Sequence, residues 1–232
     1  MPARPEPHSS AATSLLDAYL IGARSPMPHT TVGIAFTSGY GHTRELANAV
    51  AAGVKSVPGT TVEMIDIATI TDAGWQTLDS CDAIIFGTPT YMGSASGAFH
   101  AFAEATSGRW MTRAWQDKIA AGFTNSGSMS GDKLHTLQYL SLLAAQHGMH
   151  WISLGLMPGW NTTIASEHDD NRLGFYLGAG AQTWNDQGPE GVHPADLSTA
   201  RHLGKRVATH TARFLNNSRS SELEPPSVAA LA

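Results

Sequence analysis

The chain has 232 residues, with 14 Lys and Arg against 19 Asp and Glu, a formal net charge of −5. That balance excludes a strongly basic nucleic-acid surface as its main business. Hydrophobic residues make up 42% and charged residues 14%, the mixture of a chain that builds a core and the reverse of a disordered one.

The single cysteine, Cys81, excludes an internal disulfide framework and any multi-cysteine zinc or iron–sulfur centre. No metal-ligand spacing of the HExxH kind occurs among the histidines. No apolar run reaches the roughly 18 residues of a transmembrane helix. Residues 1–28 lack the basic start and long apolar centre of a signal peptide. A cytoplasmic protein with neither a membrane nor a nucleic-acid partner is expected.

Residues 1–28 are rich in Pro, Ala and Ser and read as a flexible leader with one helical turn over 15–20. The tail over 217–232 has the same composition and the same reading. The folded domain is expected over 29–216. Its first strand covers 31–36. A helix over 42–54 places Leu46, Ala47, Val50, Ala51 and Val54 on one face, and Pro58-Gly59 breaks it. A second strand covers 61–65. The third, over 83–86, is apolar throughout and ends at Gly87. A helix over 96–104, a strand over 118–123, a long helix over 132–147, a strand over 151–154 and a closing helix over 197–215 follow. Fully apolar strands alternating with helices predict a parallel sheet covered on both faces. The expected architecture is a doubly wound α/β/α sandwich with five strands in the order 2-1-3-4-5. Residues 157–195 do not fit the alternation; a connection that long is commonly functional or an interface.

Open α/β sheets bind ligands beyond the carboxyl ends of their strands. Strand one is followed by Thr37-Ser-Gly-Tyr-Gly-His-Thr43, strand three by Gly87-Thr-Pro-Thr-Tyr-Met-Gly93, and strand four by Thr124-Asn-Ser-Gly-Ser128. The first is neither a P-loop nor a GxGxxG turn, and alone it reads equally as a tight turn with a helix cap. The strand order brings the three together. A hydroxyl-rich turn at a helix N-terminus suits a phosphate, and the Tyr91–Met92 surface with an amide-rich turn suits a flat polar ring. The combination suits FMN.

These loops resemble the flavodoxin superfamily, and more closely the WrbA-like NAD(P)H:quinone oxidoreductases and NAD(P)H-dependent FMN reductases. The motifs that carry the resemblance are Ser38-Gly-Tyr-Gly-His-Thr43, Gly87-Thr-Pro-Thr-x-x-Gly93 with Ser96-Gly97, Trp110, His147-Gly-Met149 and Asp196-Leu-x-x-Ala-Arg-x-x-Gly204. They span about residues 30–215. The resemblance implies a flavodoxin-like three-layer α/β/α sandwich. It implies an FMN phosphate bound by Ser38, Gly39, Tyr40, Gly41, His42 and Thr43. The loop of Pro89, Thr90, Tyr91, Met92 and Gly93 then meets the flavin ring, and Asn125, Ser126, Gly127 and Ser128 hold the ring and ribityl region. His147 is implied as the catalytic residue at the pyrimidine edge of the flavin, contributed by a neighbouring chain of a homodimer or homotetramer. Tyr40 and Trp110 are implied at the substrate.

The chain departs from the family pattern at Met129-Ser-Gly-Asp-Lys133 and across 157–195, where the roof of the active site is expected to be rebuilt. The implied reaction passes two electrons from NADH or NADPH through the flavin to a quinone-like acceptor. Two other readings of the same fold are a flavodoxin-type electron carrier and a non-catalytic FMN-binding regulatory module. From the residues alone, His147 also suits a cap on the C-terminal end of its helix.

Overall fold

The computed structural model describes residues 29–223. The leader over 1–28, with its expected turn at 15–20, and the last part of the tail lie outside the described residues. The elements run in the order β1 (Thr30–Phe36), α1 (His42–Lys55), β2 (Thr60–Asp66), α2 (Asp72–Ser80), β3 (Ala83–Tyr91), β4 (Ser94–Ala95), α3 (Gly97–Ala105), α4 (Ser107–Met111), β5 (Ile119–Ser126), α5 (Lys133–Gln146), β6 (His150–Trp151), β7 (Ala179–Gln182) and α6 (Pro194–Leu223). Among the described residues, no helix is long and apolar enough to cross a membrane.

The parallel sheet has the order β2-β1-β3-β5-β6, with β4 antiparallel to β3 and β7 parallel to β5. This is the flavodoxin-like sandwich, with the strand order expected from the alternation. Because side chains alternate across a strand, each central strand feeds two cores. Val32, Ile34 and Phe36 face α1 and α6, joining Leu46, Val50, Leu203 and Val207. Ala35, Ile84 and Phe86 face the other side, joining Phe99, Phe102, Leu140 and Trp115. Cys81 belongs to this second core, where burial pushes its thiol up to about 11 against the opposing pull of Lys118.

Three expectations need correction. β3 does not stop at Gly87 but continues to Tyr91. Its pairing with β1 ends at Gly87, whereas its pairing with β5 continues to Pro89. Pro89 therefore falls after the last β1 pair and before the first β4 pair, at Thr90, where the missing N–H of a proline is tolerated. The fifth sheet position is not one strand over 151–154. β6 pairs with the start of β5, at Ile119 and Ala120, and β7 pairs with its end, at residues 123–126. The chain leaves the sheet between them. Leu154 N donates to Tyr176 O at 2.9 Å and Trp151 Nε1 to Leu177 O at 2.9 Å, closing the base of that excursion. Finally, the closing helix runs on to Leu223, through the first residues of the expected loose tail.

α1 and α6 touch backbone to backbone. A Cβ on Gly53 would lie 1.9 Å from Arg201 O, and one on Gly204 would lie 2.0 Å from Val50 O. Neither obstacle is a flexible side chain, so the helices would have to move apart. We expect Gly53→Ala to destabilise the fold by about 1–3 kcal/mol, the range for overpacking a filled interior. Urea unfolding checks this; a midpoint equal to that of the wild type would contradict it.

Candidate functional site

β1, β3 and β5 are mutually parallel, so the segments that follow them meet at one edge of the sheet. They surround a cavity of about 590 Å³, within the usual size of a small-molecule site. Twelve of the predicted binding residues line it: Ser38, Gly39, Tyr40, His42 and Thr43; Pro89, Thr90, Tyr91 and Met92; and Asn125, Ser126 and Gly127. Gly41, Gly93 and Ser128 lie in the same loops without lining the cavity.

The first loop is tied to the sheet by Thr37 N donating to Gly87 O at 3.0 Å. Gly41, at φ +94, turns the chain into α1. Ser38 Oγ accepts from Gly41 N at 3.1 Å and Arg44 N at 3.2 Å. The N–H groups at residues 42 and 43 precede the first helical hydrogen bond, made by Glu45 N to Gly41 O. They open the positive end of the helix toward the cavity, the usual setting for an anion.

The second loop is a two-residue hairpin. Tyr91 pairs with Ser94, and Met92 and Gly93 both have positive φ, at 48° and 83°, the type I′ geometry of tight hairpins. A methionine in that region is strained, and Met92 is fully exposed over the cavity rim. The turn is held from α5 by His135 Nδ1, 2.7 Å from Gly93 O. Beneath it, Thr90 Oγ1 lies 2.8 Å from Thr124 Oγ1 and 2.7 Å from Thr136 Oγ1, a buried hydroxyl cluster that locks β3, β5 and α5 together. Burial, with Tyr40 adding to it, raises the Tyr91 hydroxyl above its ordinary pKa, so it stays a neutral donor.

The third loop meets a fourth that the sequence reading did not assign by residue. Thr183, Asn185 and Gln187 also line the cavity. Thr183 Oγ1 donates to Asn125 Oδ1 at 3.0 Å, Gln182 Nε2 to Gly127 O at 3.2 Å, and His42 Nε2 meets Gln187 O at 2.9 Å. A Cβ on Gly127 would stand 2.1 Å from Asn185 Oδ1, so any larger residue there would have to displace the Asn185 amide from its place beside the third loop. The signal for this loop was available: Gln182-Thr-Trp-Asn-Asp-Gln187 is a hydroxyl- and amide-rich run directly after small, strand-compatible residues, the pattern of the other three.

Behind the third and fourth loops lies a buried charge network. Arg172 donates to Asp196 through Nε and Nη2, both at 2.8 Å, with both side chains almost wholly buried. Asp196 Oδ2 also accepts from Gln182 N at 3.0 Å. Lys133 is completely buried, and its Nζ donates to Ser126 Oγ at 2.7 Å and to Ser128 O. Burial pulls the Lys133 ammonium down to about 8, while Asp196 holds it up.

His147 and Trp110 are not brought to this cavity within one chain. Together they line a second depression of about 510 Å³ with Gln116, Gln146 and Gly148. It lies at the opposite end of the sheet, by the start of β6, about 20 Å away along the length of β5. His147 caps α5, lies tilted against Trp115 with ring centres 4.8 Å apart, and sets Nε2 2.8 Å from Thr106 Oγ1. The Thr106 hydroxyl donates to Ala103 O at 2.6 Å, so Nε2 carries the ring proton. Burial lowers the His147 pKa and keeps the ring neutral.

Removing one partner of a buried ion pair leaves the other charge uncompensated. We expect Asp196→Ala to destabilise the protein by about 3–5 kcal/mol, and an Arg172→Met, Asp196→Leu double variant to lose less than the single one. Urea unfolding of the set checks this. A double variant as unstable as the sum of its parts would contradict the pairing.

Comparison with known proteins agrees with this geometry. Residues 34–157 match the NADPH-dependent FMN reductase family. Flavodoxin FldP of Pseudomonas aeruginosa is 43% identical over 175 residues, covering 75% of this chain and 93% of that protein. The NAD(P)H dehydrogenase (quinone) of Geotalea uraniireducens is 29% identical over 207 residues, covering 78% and 97%. The crystal structure of a flavodoxin, WrbA-like protein from Agrobacterium tumefaciens superposes with a TM-score of 0.63 at 43% identity, covering 79% of this chain and 98% of that one. The chain therefore belongs to the NADPH-dependent FMN reductase family, on the WrbA-like side of the flavodoxin fold.

Proposed function

We propose that the cavity holds FMN and that the chain passes two electrons from NADH or NADPH to a quinone or a similar small planar acceptor. The observation that carries this reading is the junction of an anion-binding helix end and an amide- and hydroxyl-lined slot in a single cavity. The donor set fits the cofactor. Ser38, the backbone from Gly39 to Thr43 and the positive end of α1 suit a phosphate. Thr90, Tyr91 and Met92 on one side and Asn125, Ser126, Gly127 and Ser128 on the other suit a flat ring with polar edges.

When bound, FMN supplies the chemistry, accepting a hydride from the nicotinamide and returning two electrons to the acceptor. The protein's part is placement. The Thr90–Thr124–Thr136 hydroxyls fix the two facing walls, and the His42–Gln187 contact closes the phosphate end. Tyr40 and Met92, both exposed at the rim, offer surface to the nucleotide or the acceptor. His147 and Trp110 take part only if a second copy of the chain sets its own depression against this cavity. Such an arrangement requires a homodimer or homotetramer.

A second reading is a flavodoxin-type electron carrier, favoured by the 43% identical relative that bears the name flavodoxin. Anaerobic spectra of the FMN-saturated protein separate the two. The oxidoreductase reading predicts that NADH or NADPH bleaches the flavin absorbance and that a benzoquinone restores it. Flavin that neither nucleotide bleaches would leave the carrier or a non-catalytic FMN-binding module.

A further inference from the structure

We propose that Lys133 is a potential-setting residue of the cavity, its buried ammonium favouring the reduced, more negatively charged state of a bound flavin. The inference rests on the FMN reading above and concerns a residue to which that reading gives no role.

Lys133 stands in the first turn of α5, fully buried, directly behind the cavity wall. Its Nζ is one hydrogen bond from Ser126, a wall residue, and it also donates to Ser128 O. Both acceptors are neutral. Among the described residues no carboxylate makes an ion pair with it. Asp196, the carboxylate whose charge supports it, is already held by both forks of Arg172 and by the Gln182 amide. Two buried cations thus share one buried carboxylate, and the excess positive charge lies on the cavity side.

A buried ammonium without a counter-ion is costly to keep, and lysines are rarely buried fully. Its two hydrogen bonds to the third loop give a reason for a donor at this site, and not for a buried charge. A cavity whose ligand gains negative charge gives one. The oxidised ring takes up two electrons and one proton and ends with one more negative charge. The hydride of NAD(P)H carries both electrons and that proton, and NAD(P)⁺ leaves. A fixed positive charge behind the wall stabilises the product of that transfer more than its starting state, an electrostatic effect that a low-dielectric setting strengthens.

The alternative is that Lys133 merely anchors the third loop. Two substitutions separate the roles: Lys133→Gln removes the charge and keeps a hydrogen-bond donor, and Lys133→Met removes both. FMN fluorescence quenching gives the affinity for oxidised FMN, and dye equilibration at pH 7 gives the midpoint potential of the bound flavin. We expect Lys133→Gln to bind oxidised FMN within about threefold of the wild type. Both variants should lose about tenfold in preference for the reduced flavin, a fall of about 30 mV for a two-electron couple. A wild-type potential in Lys133→Gln would overturn the proposal and leave a structural anchor. Failure of the wild-type protein to bind FMN would overturn the FMN reading itself, and this inference with it.

Discussion

Asp196 accepts both forks of the Arg172 guanidinium and the backbone N–H of Gln182. The Gln182 bond fastens the last residue of β7, and the Arg172 pair fastens the segment that leads back to it. The chain between the two half-strands travels outside the sheet and has a fixed point on its return to β5. Asp196 supplies that point from the first turn of α6, a helix clamped to α1 by the close approach at Gly53 and Gly204. The fourth cavity loop begins immediately after β7. The site is therefore built on a buried carboxylate in one layer as much as on the strands of another.

The same carboxylate shapes the electrostatics. Arg172 and Lys133 both lie out of solvent, and Asp196 satisfies the first while only moderating the second. The N-terminus of α1, elsewhere on the cavity lining, presents N–H groups ahead of the first helical hydrogen bond and the positive end of its dipole. Positive potential thus comes from two directions, in a chain whose net charge is −5. A cavity of this kind suits a ligand with a phosphate at one end and a ring that gains electrons at the other.

Much of this was legible in the sequence, for identifiable reasons. β1, β3 and β5 are buried on both faces, so their residues form unbroken apolar runs that periodicity detects. The Gly, Ser, Thr and Asn residues after them stand out against those runs, and twelve of the predicted binding residues reached the cavity wall. The fifth position was not legible, because it is continuous in space and not in sequence: two short fragments cannot be told from loop by pattern. Pro89 disguised the end of β3, since only the pairing shows that it falls between the last β1 partner and the first β4 partner. α2 escaped because Gly74 stands in its first turn, and its start rests on the Thr71 side-chain cap. Lys133 gave no signal, because a charged residue at a helix start reads as solvated. His147 and Trp110 carry motif-level resemblance but line a separate depression at the far end of the sheet.

Every role proposed for the cavity depends on where FMN binds. A crystal structure of the FMN-saturated protein is the decisive measurement. The phosphate is expected against Ser38–Thr43 at the start of α1, and the ring between Tyr91 and the Asn125–Gly127 turn, with the loop of Asn185 and Gln187 closed beside it. FMN bound at another surface, or a cavity that stays free of FMN at saturating concentration, would contradict those roles.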